Sequence, residues 1–194
     1  MNFEKLSKEG KKFQVELFGK LSAMGFTVAL NGTEYTHPEF IAGLRNSEDQ
    51  TSLAIRFAPD GVACIGKIPR SFYIEAKRGS SIEKNAWIQY GKLVEAGNVL
   101  VIVFCNNENS WYFNFYESVK LIDGKISSEN IPEYKRWPID DDGWICPRES
   151  ASWNEDKLNI KHASGTPYKK VDFSSLIPFA EFKNVVIERL RLNV

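Results

Sequence analysis

Cysteine and histidine are scarce in this sequence, which excludes several classes of site. Three cysteines (Cys64, Cys105 and Cys146) and two histidines occur among 194 residues. The cysteines are far apart, odd in number and form no Cys-x-x-Cys pair, a pattern that argues against a disulfide framework and a zinc site. Two histidines are too few for a histidine-based metal cluster.

Long apolar runs are also missing. The longest, residues 99–104, is far shorter than the stretch of about 20 residues that a membrane-spanning helix needs. Lysines at positions 5, 8, 11 and 12 interrupt any apolar segment after Met1, so no secretory signal is predicted. We therefore expect a cytoplasmic protein with no membrane partner.

The sequence carries no excess of either charge, because 25 Lys and Arg residues balance 25 Asp and Glu residues. A neutral chain is not expected to coat nucleic acid non-specifically. A local basic face remains compatible with this balance.

Apolar spacing predicts a sheet flanked by helices. Helices are predicted over residues 7–24 and 82–96, where apolar side chains recur at helical intervals. Strands are predicted over residues 53–57, 62–65, 72–77 and 99–104. The expected fold class is α/β, with a mixed central β-sheet between helices.

Residues 106–194 are less regular. A strand near residues 111–116 and a helix near residues 179–190 are predicted, and the acidic run at 140–142 is interpreted as a solvated turn. No low-complexity linker or internal repeat divides the chain. We expect one domain over residues 1–194, with a core at about 7–105 and a C-terminal elaboration at about 106–194.

Residues 56–79 contain a motif with two interpretations. Gly61 to Lys67 spells GxxxxGK, which in a phosphate-binding loop is followed by Ser or Thr and a helix. Here Ile68 and Pro69 follow, and the chain continues into a strand. The segment is therefore interpreted as a β-hairpin.

The hairpin brings three charged side chains to one sheet edge. A turn near Ile68 pairs residues whose numbers sum to about 136 and sets Asp60 opposite Ala76. Side chains alternate along a strand, so Glu75 and Lys77 share a face, roughly 7 Å apart. Two carboxylates, with the Ala76 carbonyl, make a hard oxygen site suited to Mg²⁺ or Mn²⁺. The alternative is an exposed Glu–Lys strand pair beside an ordinary Pro-Asp-Gly turn.

A glutamine on the following helix bears on this choice. Ser80 and Glu83 match a capping box, and Gln89 falls within the buried stripe of the predicted helix. A core-facing amide needs hydrogen-bond partners. Gln89 is interpreted as orienting a site carboxylate, a water or a phosphate, or as a core glutamine bonded to backbone.

The order of these features resembles the PD-(D/E)XK nuclease superfamily, and most of all the archaeal-type Holliday-junction resolvases. The resemblance spans about residues 7–104. It implies a restriction-endonuclease-like core and metal-dependent hydrolysis of DNA. It also implies that Asp60 and Glu75 are metal ligands, that Lys77 is the catalytic lysine, and that Gln89 assists them.

Two departures limit the resemblance. The glutamate that the first helix often contributes is replaced by Gln14, and we expect Glu16 to serve instead. The chain also continues some ninety residues past the match.

The predicted function is a Mg²⁺-dependent DNA nuclease in repair, recombination, phage replication or restriction. Double-strand cleavage favours a homodimer. A non-catalytic DNA-binding or assembly module and an RNA-cutting nuclease remain the alternatives. Candidate nucleic-acid contacts are Arg78, Lys84, Lys92, Lys169 and Lys170. The last two lie in a predicted loop, and the alternative is that this loop is an ordinary solvated surface loop.

Overall fold

The chain builds a mixed α/β fold. The computed structural model describes residues 3–31, 44, 47, 49–66, 68, 70–106, 108–124, 139–146 and 166–192. Its helices include α1 (Phe3–Ala23), α2 (Gln50–Arg56), α3 (Lys84–Glu95) and α4 (Phe182–Leu192). Its strands include β1 (Phe26–Leu30), β2 (Gly61–Ile65), β3 (Ser71–Arg78), β4 (Ser81–Glu83), β5 (Leu100–Cys105), β6 (Trp111–Phe115), β7 (Leu121–Ile122), β8 (Tyr168–Val171) and β9 (Ile177–Pro178).

Six of the strands form the central sheet, in the order β1-β2-β3-β5-β6-β9. β3 and β5 run parallel, and the other neighbours pair antiparallel. A smaller antiparallel sheet has the order β4-β8-β7. The predicted α/β class, with a mixed central sheet flanked by helices, is confirmed. β6, β9 and α4 all follow residue 105, and they join the same sheet and core as the earlier elements.

β5 is the centre of the core because all six of its residues are buried. Its Val101 and Val103 pack into one apolar cluster with side chains of α1 and α4. Leu100, Ile102 and Phe104 alternate with them and pack against α3 on the opposite face. Each aliphatic side chain buried in this way stabilises the fold by about 1.5–3 kcal/mol. A strand that is covered on both faces explains the continuous apolar run in the sequence.

The first helix follows its apolar spacing. Phe13, Leu17 and Leu21 recur every four residues, and all three are buried against the sheet. The helix stops before Gly25, whose φ of 93° is accessible to glycine at little cost. Among the helices in the described ranges, none has the length and apolar character required to cross a membrane.

The strand predicted over residues 53–57 is wrong, because this segment forms α2. The Asp49 side chain accepts a hydrogen bond from the Ser52 backbone N–H (2.9 Å) and caps the helix. The alternation of Leu53, Ile55 and Phe57 is too short to favour a strand over the helix that the Asp49 side chain caps. The strand that precedes β2 in the sheet is instead β1, whose alternating Phe26 and Val28 were not recognised as a strand signal.

The predicted capping box is also wrong. Ile82 lies in β4 rather than in a helix, and α3 begins at Lys84 with Glu83 as its N-cap, without a capping side-chain hydrogen bond. β4 forms because Ser81 and Ile82 pair with Lys170 and Lys169 of β8. A strand partner almost ninety residues away leaves no local signal in the sequence.

Gly61, which directly follows Asp60, provides a test of the packing of β2 against α1 and β1. A Cβ built on Gly61 would lie 2.8 Å from Phe18 Cζ and 3.0 Å from the Ala29 carbonyl oxygen. We expect Gly61→Ala to lower the free energy of unfolding by about 1–3 kcal/mol, because the backbone oxygen has little room to move. The measurement is urea unfolding.

Gly19→Ala is the matched control, because a Cβ there meets nothing within 4 Å. Alanine in the interior of α1 should stabilise the helix by roughly 0.5–1 kcal/mol. Equal stability changes in the two variants would contradict the close packing of Gly61.

Candidate active site

β3 divides its side chains between the two faces of the sheet. Phe72 and Ile74 point into the cluster shared with α1 and α4, whereas Tyr73 packs into the cluster on the α3 side. Glu75 and Lys77 share a face with Tyr73 because side chains alternate. They form an ion pair, with Lys77 Nζ 2.6 Å from Glu75 Oε1. Glu75 is buried and Lys77 keeps about a quarter of its side chain exposed.

The hairpin register differs by one residue from the predicted one. Gly61 pairs with Ile74 and Cys64 with Ser71, so the paired numbers sum to 135. The predicted sum of about 136 would have placed Asp60 opposite Ala76. Ser71 pairs with Cys64 rather than with Ile65, and position 60 is therefore aligned with position 75.

Asp60 lies directly before the first residue of β2, beside the part of β3 that extends past β2. Its backbone carbonyl accepts a hydrogen bond from the Asn31 N–H (2.9 Å), and Asn31 Nδ2 donates to the Pro59 carbonyl (3.1 Å). Its Oδ2 accepts the Ala76 backbone N–H at 2.7 Å, in the place that a further β2 carbonyl would occupy. Asp60 is thereby fixed beside the Glu75–Lys77 segment, with only 6% of its surface exposed.

Gln14 is a second partner of the Asp60 carboxylate. Its Nε2 donates a 2.6 Å hydrogen bond to Asp60 Oδ1, and both side chains are buried. Gln14 follows Phe13 on the face of α1 that meets the sheet. The residue that replaces the expected glutamate therefore lies in the site, in direct contact with Asp60.

Glu16 lies elsewhere on α1. It is exposed and pairs with Lys20 one turn later, at 3.5 Å. Two residues rotate a helix by about 200°, which directs Glu16 away from the side that carries Gln14. The structure does not bring Glu16 to Asp60 and Glu75.

Tyr90 of α3 is buried beside these charged residues. The Lys77 Nζ, which is paired with Glu75, lies 6.0 Å from the centre of the Tyr90 ring. Burial, followed by the negative charge of Glu75, raises the pKa of the Tyr90 phenol well above its usual value. A buried tyrosine needs a partner for its hydroxyl, and this need was the signal available in the sequence.

Lys77 is held in its charged form. Burial by itself lowers the pKa of a lysine, but the charges of Glu75 and Asp60 and the hydrogen bond to Glu75 outweigh it. The pKa of Lys77 is therefore raised above its usual value. At neutral pH Lys77 is an ammonium that donates hydrogen bonds and offers positive charge, and it is not a proton acceptor.

Gln89 lies on α3 immediately before Tyr90 and is half-buried. Among the residues that the structure describes, none forms a hydrogen bond with its amide. The cluster that the structure assembles consists of Asp60, Glu75, Lys77, Gln14 and Tyr90.

The donor set fits a divalent ion of the magnesium type. Asp60 and Glu75 supply carboxylate oxygens, the Ala76 carbonyl is a third oxygen, and Mg²⁺ normally keeps several waters in such sites. Within the described ranges, no three His, Cys, Asp or Glu side chains come close enough together to hold a metal. The available site is thus one of two carboxylates, with other positions left to waters or a substrate oxygen.

Two predicted nucleic-acid contacts are engaged within the protein. Lys84 pairs with Asp140 (2.7 Å) and Asp142 (3.2 Å), and Lys169 pairs with Asp123 (2.6 Å). Both ammonium groups lie over the Trp144 ring, at 5.9 and 5.1 Å from its centre. These contacts tie the start of α3 to β8.

The turn predicted at 140–142 is present and Asp141 and Asp142 are exposed, but Asp140 is half-buried and also accepts the Trp144 N–H at 2.8 Å. Lys169 and Lys170 lie in β8 rather than in a loop. Lys92 donates to the Gln50 side chain. Arg78 is exposed at the end of β3, and Lys170 is exposed within β8.

Comparison with known proteins found no matching protein-family model and no matching curated protein. Among solved structures, the chain is similar to Hjc of Archaeoglobus fulgidus, a Holliday junction resolvase from an archaeal hyperthermophile. The similarity covers 59% of this chain and 79% of that chain, at 17% identity and a TM-score of 0.39.

The Gln14–Asp60 contact can be tested with Gln14→Glu. This change replaces a hydrogen bond by two carboxylates in contact, and we expect it to lower the free energy of unfolding in EDTA by about 1.5–3 kcal/mol. Mn²⁺ should restore much of the loss, because a third carboxylate strengthens an oxygen site. The measurement is chemical unfolding with and without Mn²⁺.

Gln50→Glu makes the same chemical change at an exposed position facing Lys92 and should leave stability unchanged or slightly raised. If Gln14→Glu behaves like this control in EDTA, the Asp60 contact has been assigned wrongly.

Proposed function

We propose that this chain is a divalent-metal-dependent nuclease that hydrolyses phosphodiester bonds, with DNA as its substrate. The observation that carries the proposal is the cluster of the buried Asp60 and Glu75 with Lys77 at the start of β2. Carboxylates removed from water are costly to keep without positive charge. A nearby ammonium and a divalent ion together offset that charge and create a site for an anionic substrate.

The residues of the cluster have distinct parts in this proposal. Asp60 and Glu75 hold the ion, which would polarise a phosphate oxygen and acidify a bound water. Gln14 and the Ala76 N–H hold the Asp60 carboxylate in one orientation. Lys77 donates to the phosphate or to the attacking water and offsets the negative charge that develops on the phosphorus.

The raised pKa of Lys77 supports its role in stabilising charge, separate from the metal-binding role of the two carboxylates. A lysine that stays charged is suited to electrostatic stabilisation, and it is unsuited to removing a proton from water at neutral pH. The proton of the attacking water is then expected to leave to bulk solvent or to a phosphate oxygen.

A second function, a non-catalytic nucleic-acid-binding or assembly module, is favoured by Gln14. A neutral amide occupies a position where a third carboxylate would strengthen metal binding, and its contact with Asp60 is complete without an ion. An RNA-cutting nuclease would use the same chemistry. Arg78 and Lys170 are the exposed cations that either function would offer to a phosphate backbone.

The proposal is tested by incubating the pure protein with plasmid, linear and branched DNA, and with RNA, in Mg²⁺ or Mn²⁺. We expect cleavage that EDTA abolishes. Asp60→Asn and Lys77→Ala should each lower the rate by roughly 10²–10³-fold, the loss typical of removing one group that stabilises developing charge.

Asp141→Asn and Lys183→Ala are the matched controls, because they make the same charge changes at exposed positions on other elements. Cleavage that persists in Asp60→Asn or Lys77→Ala would assign the activity to another site or to a contaminant. Binding of DNA without cleavage and without Mn²⁺ uptake would favour the non-catalytic module. Size measurement with and without duplex DNA tests the expected homodimer.

A further inference from the structure

We infer that Arg78 and Lys20, the latter held by Trp111, form a second contact for the nucleic-acid substrate, on the face of the sheet that α1 covers. This inference rests on the proposed function and deepens it, because it assigns the path of the substrate strand beyond the phosphate at the candidate active site. The ligand of this contact is a backbone phosphate of that strand.

The last two residues of β3 carry cations on opposite faces of the sheet. Lys77 points to the α3 side, whereas Arg78 shares the α1 side with Ala76, because side chains alternate along a strand. Arg78 is exposed. The end of β3 therefore offers an ammonium and a guanidinium at successive positions.

Arg78 begins a row of residues that crosses three neighbouring strands. It pairs with Cys105 of β5, and Cys105 pairs with Trp111 of β6. Neighbouring strands lie about 4.8 Å apart, so the Cα atoms of Arg78 and Trp111 are about 10 Å apart, with their side chains on the same face. Cys105 is buried, whereas Trp111 is partly exposed. The row has a cation at one end and an indole at the other.

Trp111 fixes the ammonium of Lys20. Lys20 Nζ lies 5.0 Å from the centre of the indole ring, a distance at which the ring face attracts a cation. The indole is itself packed by Phe13 and Phe179, whose ring centres are 4.6 and 5.6 Å away. A lysine held in this way has already lost much of the side-chain freedom that binding a phosphate would otherwise remove.

Glu16 is the counterion that a phosphate displaces. Its Oε1 lies 3.5 Å from Lys20 Nζ, one turn along α1, and the two side chains are 50% and 41% exposed. An exposed ion pair of this kind is weak and is screened by salt. A backbone phosphate competes with it because it accepts hydrogen bonds from both Lys20 and Arg78.

The ligand that fits these cations together with the candidate active site is a nucleic-acid strand. Lys77 and Arg78 point to opposite faces, so a ligand that reaches both must extend past the end of β3. An isolated phosphate is too small for this, whereas a strand carries one phosphate per nucleotide. Lysine and arginine contacts to such phosphates position the strand without reading its base sequence.

A purely structural role of Lys20 makes a different prediction. If Lys20 only covered Trp111 and paired with Glu16, its removal would change stability and leave nucleic-acid binding unchanged. If Lys20 binds a phosphate, its removal weakens binding and also lowers the salt dependence of binding, because fewer counterions are released.

The test measures binding of fluorescently labelled single-stranded and duplex DNA to the full chain in EDTA, by anisotropy over a series of salt concentrations. We expect the double variant Lys20→Ala, Arg78→Ala to bind roughly 10-fold more weakly. The slope of log affinity against log salt should become shallower by about 0.7 on single strands and about 0.9 on duplex for each cation removed.

The double variant Lys183→Ala, Arg191→Ala is the matched control, because it removes one lysine and one arginine from exposed positions of α4. It should bind DNA like wild type, with an unchanged salt slope. Melting curves check that both double variants are folded.

Glu16→Gln tests the contact in the opposite direction. Without its counterion Lys20 is more available to a phosphate, and DNA binding should tighten about 2–5-fold, the size of one exposed ion pair. This gain should disappear when Lys20 is replaced by alanine. Glu188→Gln, at an exposed position of α4, should leave DNA binding unchanged.

The outcomes separate this inference from the nuclease proposal. Wild-type affinity and salt slope in the folded Lys20→Ala, Arg78→Ala variant would overturn the inference and leave the nuclease standing. If that variant does not fold, a Glu16→Gln protein that binds DNA no more tightly than wild type overturns it instead. Weaker binding by the variant, with no metal-dependent cleavage by wild type, would support the contact and reject the nuclease. If wild type neither binds nor cuts DNA or RNA, both proposals fail.

Discussion

Asp60 joins three elements that the chain separates widely. One carboxylate oxygen accepts a hydrogen bond from the Gln14 amide of α1, the other accepts one from the Ala76 N–H of β3, and the Asp60 backbone carbonyl accepts one from Asn31 after β1. Removing either partner of the carboxylate would leave a buried charge short of a hydrogen bond, which is more costly than losing an apolar contact. The orientation of α1 on the sheet and the position of the candidate site therefore depend on the same side chain.

The local part of the site was predictable from the sequence. Alternation along β3 sets Glu75 and Lys77 on one face whatever the remaining fold is, because the period of a strand is fixed. The pairing of β2 with β3 was predictable to within one residue, since a short turn limits the register. The error in register matters, because opposite residues share a face and the corrected alignment sets Asp60 opposite Glu75.

The non-local part was not predictable. Gln14 and Asp60 are 46 residues apart, and Lys84 and Asp140 are 56 residues apart, so no local pattern links either pair. For residues 53–57, in contrast, the deciding signal is local. The side chain of Asp49 caps a helix where a short apolar alternation suggested a strand. Tertiary pairing also overrode the capping-box pattern at Ser80, because β8 recruits the following residues into a strand.

The C-terminal half of the chain helps to place the site, although none of its described residues contributes a side chain to the cluster. α3 carries Tyr90, and the start of α3 is held by the Lys84 N–H bond to the Pro167 carbonyl (2.7 Å) and by the Lys84–Asp140 ion pair. β8 pairs with β4 immediately before α3. A shift in this small sheet would move α3 along β5 and change the distance from the Tyr90 hydroxyl to Glu75. The charge arrangement at the start of β2 is therefore coupled, through the packing of one helix, to Asp140, Pro167 and β8.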